Sequence, residues 1–121
     1  MSEVVAFKRP AMRRNSRRAI RLAIVVQIIE ALEKNGGSAH CDVVISQIAA
    51  DRKLTDPQAV AALRRQVMEV FKAHCEEPAV PAQELVMFRR VYGPDSRRWG
   101  FSGGFHHQRR LGVIDLEAKI S

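Results

Sequence analysis

The chain has 121 residues, 46% hydrophobic and 27% charged, which defines one globular domain with a short extension and excludes a wholly disordered chain. Lys and Arg number 20 against 13 Asp and Glu, for a net charge of +7. Two cysteines, Cys41 and Cys75, are too few for a disulfide scaffold.

In chain order, residues 1–15 read as a flexible basic arm: they carry no apolar h-region of a secretion signal, and Pro10 interrupts any helix. A first helix is expected from Asn15 or Ser16, both good N-caps, to about Lys34, with Asn35-Gly36-Gly37 ending it. Eleven of the 14 positions from 19 to 32 are apolar, more than one stripe requires. That helix is either buried on several sides or part of a dimer interface. Arg21, Gln27 and Glu30 interrupt the run, which is shorter than the ~20 residues of a bilayer span. A cytoplasmic protein is expected, nucleoid-associated in a bacterial setting.

A short second helix is expected over 41–50, starting near Ser38 or His40, with Val44, Ile45 and Ile48 inward. Residues 51–54 read as a turn. Thr55-Asp56-Pro57 then marks a helix start, because Pro at the first helical position loses no intrahelical bond. The third helix runs to about Cys75, with Val60, Leu63, Val67, Val70 and Phe71 inward. After a loop over 76–81, residues 84–92 and 97–102 read as a hairpin around Gly93-Pro94-Asp95-Ser96. If Gly93 faces Ser96, then Arg90 faces Trp99 and Phe88 faces Phe101. Val86, Phe88, Arg90 and Tyr92 then share a face with Arg97, Trp99 and Phe101, and Arg89 and Arg98 fall on the other. The aromatics are expected to dock the hairpin on the helices rather than stack bases, and Arg90 to form a cation–π pair within the fold. Residues 103–121 form a C-terminal tail without a firm assignment.

Charge is segregated along this plan. Residues 1–21 carry net +6, residues 22–84 net −3, residues 85–110 net +5 and residues 111–121 net −1. Arginine outnumbers lysine 15 to 5, and arginine makes two-pronged bonds to phosphate and to guanine edges. Two cationic blocks around an acidic middle point to a polyanion as partner. The pairs His40-Cys41, His74-Cys75 and His106-His107 are adjacent in sequence, and helical neighbours point ~100° apart, so neither a metal site nor a nucleophile pair is expected. No enzyme activity or cofactor is read from the residues.

Ile48-Ala49, Leu54-Thr55 and Ala62-Leu63, followed by the hairpin, resemble the winged helix-turn-helix superfamily over roughly residues 16–102. The turn departs from the family pattern, with Lys53 near the place where glycine is frequent. The resemblance implies a mainly α domain of three helices plus a β-hairpin wing, binding double-stranded DNA as a transcriptional regulator or chromosome-associated factor. It implies that Gln58, Arg64 and Arg65 on the third helix face the major groove. The wing would bring Arg89, Arg90, Arg97 and Arg98, and the arm Arg13, Arg14, Arg17 and Arg18. Residues 19–32 are the candidate surface of a homodimer. RNA and a protein partner on the same fold stay open as alternatives.

Overall fold

The computed structural model describes residues 2–76, 86–103 and 105, with side chains from residue 17 onward. The chain is mainly helical, with three helices and a small antiparallel sheet: α1 (Ser2–Lys34), β1 (Ser38–His40), α2 (Cys41–Asp51), α3 (Pro57–Ala73), β2 (Phe88–Arg90) and β3 (Arg98–Phe101). No helix among the described residues is long and apolar enough to cross a membrane.

The expected arm is helical from Ser2 and runs through Pro10 without a break, so the start expected at Asn15 or Ser16 is corrected. One proline removes a single backbone donor, whereas a helix once nucleated extends cooperatively. Ile24, Val25, Ile28, Ile29 and Leu32 make the buried face of α1. The Asn35-Gly36-Gly37 stop is as expected: Gly37 N–H bonds Leu32 O at 2.8 Å, and Gly36 and Gly37 take positive φ.

The second correction is the sheet. Sequence reading gave a two-stranded hairpin; the sheet has three strands in the order β1-β3-β2. Ser38, Ala39 and His40 pair with Gly100, Trp99 and Arg98. Ser-Ala-His has no β-branched or aromatic residue and is only three residues long, so pairing with β3 rather than propensity makes it a strand. The hairpin register is the one computed from the turn: Phe88 faces Phe101 and Arg90 faces Trp99. The turn closes with Ser96 N–H on Gly93 O at 3.0 Å.

The core lies between the three helices and is closed on one side by this sheet. Trp99 stacks on Phe71 at 3.9 Å between ring centroids, and Phe88 lies 5.5 Å from the same ring. The hairpin aromatics thus dock on the helices, as expected for Phe88 and Trp99. Tyr92 is corrected: it lies past the Val91–Arg98 ladder bond and is 79% exposed. The loop at 77–81, the strand start at 84–85, His106-His107 and the tail from 106 lie outside the described residues.

Candidate nucleic-acid interface

The third helix starts where its sequence says. Asp56 is the N-cap, its Oδ2 accepting the Ala59 N–H at 3.3 Å, and Pro57 opens the first turn. Ile48 and Ala49 of α2 and Leu63 of α3 are buried and Leu54 between them packs on the core, so these residues help anchor α2 to α3. Lys53 takes φ +57°, the left-handed conformation that glycine adopts without strain. Where the resemblance to the family expects a glycine, Lys53 thus takes a backbone conformation that suits one. With Leu63, Val67, Val70 and Phe71 facing inward, α3 exposes Gln58, Ala61, Arg64, Arg65 and Gln66.

Arg64 is held. Its Nη2 donates to Asp42 Oδ1 at 2.9 Å, linking α3 to the first turn of α2. That turn is fixed by His40, the N-cap, whose Nδ1 accepts the Asp42 N–H at 3.0 Å. The hydrogen bond from Arg64 is the largest cause holding the Asp42 carboxyl below its ordinary range; His40 and Arg97 add smaller favourable charge interactions. The carbonyl of Arg97, the residue between the hairpin turn and β3, accepts the Cys41 N–H at 2.7 Å, which joins the turn end of the hairpin to the start of α2.

The hairpin arginines divide by what holds them. Arg89 and Arg97 are exposed. Arg90 is half-buried: its Nη1 donates to Ser96 O at 3.0 Å and its guanidinium lies 5.3 Å from the Phe71 ring centroid. The intramolecular cation–π partner is thus Phe71 rather than the opposed Trp99. Arg98, on the outer face, donates from Nε to Ser38 Oγ at 3.1 Å and from Nη2 to Ser38 O at 3.4 Å, tying β3 to β1. Arg17 and Arg18 are exposed on α1, where the helix leaves the body; the side chains of Arg13 and Arg14 lie outside the described residues.

The structure ties Arg64 to Asp42 and the Arg97 carbonyl to the Cys41 N–H at the start of α2, with Arg65 exposed beside Arg64 on the same helix. It makes Arg90 and Arg98 internal ties. Sequence reasoning missed Asp42 and the capping role of His40 beside it. The Asp42–Arg64 pair spans 22 residues and two helices, and no local pattern announces such a contact.

His40, Cys41 and Asp42 also place ligand-type atoms within 4.8 Å of one another. Their chemistry is committed elsewhere. His40 Nδ1 caps the helix, Asp42 binds a guanidinium, and burial pushes the Cys41 thiol upward, away from the thiolate that metals and electrophiles require.

No protein-family model matches the chain, and no curated protein or solved structure matches it either.

Proposed function

We propose that the chain is a winged helix-turn-helix protein that binds duplex DNA, acting as a transcriptional regulator or chromosome-associated factor. The element order α1-β1-α2-α3-β2-β3, with the sheet order β1-β3-β2, supports the family reading. The observation that carries the function is that exposed Arg64 of α3 and exposed Arg97 of the hairpin both bond the first turn of α2, Arg64 through the Asp42 carboxylate and Arg97 through its carbonyl to the Cys41 N–H. A helix able to enter a groove and a hairpin able to follow the backbone then share one cationic surface within a single protomer.

On this reading Gln58 and Arg65 offer base-edge contacts, while Arg89, Arg97 and Arg64 lie on phosphates. Arg90 and Arg98 support the wing from within. The entry turn of α3 is rich in alanine, which favours backbone and shape over base readout. Binding is therefore expected to be strongly salt-dependent and of modest sequence preference.

The test is titration of duplex DNA with the full chain across a salt series. Binding whose logarithm falls linearly with log salt, and whose slope drops by about 1 for each of Arg89→Ala and Arg97→Ala, supports the proposal. Salt-independent or absent binding overturns it. Preference for structured RNA over duplex in competition moves the assignment to RNA. Retained DNA affinity when Arg64, Arg65, Arg89 and Arg97 are all replaced removes the surface from the account.

A further inference from the structure

Asp42 is an acid bonded to an arginine that the duplex reading assigns to phosphate, and that reading gives it no task. It lies in the first turn of α2, where the N–H groups that a helix leaves unpaired favour an anion. Arg64 Nη2 donates to its Oδ1 at 2.9 Å, and both side chains face solvent, 48% exposed for Arg64 and 52% for Asp42. A guanidinium carries five N–H donors, and this is the one side-chain bond that Arg64 makes among the described residues. The Asp42 carboxyl is held below its ordinary range, so it is ionised at neutral pH.

We infer that the Asp42 carboxylate is a built-in competitor of phosphate at Arg64, and that it lowers the affinity of this surface for a polyanion. The inference rests on the duplex reading of the same surface and adds the control of its affinity. In the free protein the carboxylate fills the place of a phosphate on Arg64, and a bound phosphate must displace it or share the guanidinium with it. Displacement costs little, because an exposed ion pair contributes little to stability. Sharing is unfavourable, because two anions on one guanidinium lie well inside the Debye length of about 8 Å at 0.15 M salt, and their repulsion is largely unscreened. The opposing effect, the ordering of Arg64 by the carboxylate, is the smaller one, since a single hydrogen bond lacks the fixed geometry of a two-pronged pair.

The test is binding of a short duplex to wild type, Asp42→Asn, Arg64→Ala and the double variant, across a salt series and well below the melting temperature of each. Asparagine keeps the shape of the side chain and removes its charge. One recovered phosphate contact steepens the fall of log K with log salt by about 0.9, which amounts to about fivefold between 1 M and 0.15 M salt. Asp42→Asn is therefore expected to bind about fivefold tighter than wild type at 0.15 M, with the steeper slope, and the gain is expected to vanish when residue 64 is alanine. Asp42→Ser, also uncharged but shorter, is expected to behave alike. Glu30→Gln removes the same charge from an exposed position on α1 and is expected to change affinity by less than about twofold. Uncharged variants that keep the circular dichroism of wild type yet bind equally or more weakly, or a gain that persists without Arg64, overturn the inference and leave the duplex reading standing. A wild type that binds no duplex overturns the duplex reading instead, and retention on phosphocellulose then decides on the competitor. Elution of Asp42→Asn at higher salt than both wild type and Glu30→Gln supports it, and elution no later than Glu30→Gln rejects it.

Discussion

At the scale of single residues, two side chains carry measurable consequences. Asp42 is bound by Arg64, and its carboxyl is held below the ordinary value of 3.8. A depressed folded pKa stabilises the fold above the unfolded pKa, and the gain is lost as pH falls through the folded value. Asp42→Asn is therefore expected to melt below wild type at neutral pH. The gap should close as the solution is taken below about pH 4, read by thermal melts across pH. A gap that stays constant to low pH would show that the carboxylate charge is not its source. Lys53 is the second case. It holds a left-handed backbone at φ +57°, with its side chain exposed. Lys53→Gly is expected to raise unfolding free energy by about 0.5–1 kcal/mol in urea titration, since glycine removes the Cβ strain. An unchanged or lowered midpoint would mean that the lysine is not strained there.

At the scale of elements, the hairpin separates into a structural and an available half, and its arginines should respond accordingly. Trp99 and Phe88 pack against Phe71, with Arg90 above that ring and Arg98 bound to Ser38. Trp99→Ala is expected to cost about 3–5 kcal/mol of stability, the range for a fully buried large aromatic. Arg89→Ala, at an exposed position, should change stability by less than about 0.5 kcal/mol. Chemical denaturation of both variants checks the contrast, and comparable losses from the two would remove the division. The register was legible in the sequence because a four-residue turn fixes all later pairings by alternation. The third helix was legible because Asp56-Pro57 and its apolar stripe agree. β1 was not, since its pairing partner lies some 60 residues away and its own residues favour no strand. The helical course of residues 2–15 was also missed, because a proline weighs more in local reading than the cooperative extension that carries a helix past it.

At the scale of the whole molecule, the first turn of α2 is where α3 and the turn end of the hairpin meet, Arg64 on the Asp42 carboxylate and the Arg97 carbonyl on the Cys41 N–H. That convergence was the part of the candidate site that no sequence pattern could disclose. Arg64 and Arg97, 33 residues apart in sequence, reach the same helix start only through tertiary packing. The chain holds a single tryptophan, and it is the residue stacked between the hairpin and α3. Its indole is fully buried, so its fluorescence belongs to one event, the seating of the wing on the helical body. A red shift in emission would report the wing lifting away, and emission left unmoved by a bound polyanion would report that the wing is engaged while still seated. The molecule thus carries its own optical gauge of wing docking, with no label to attach.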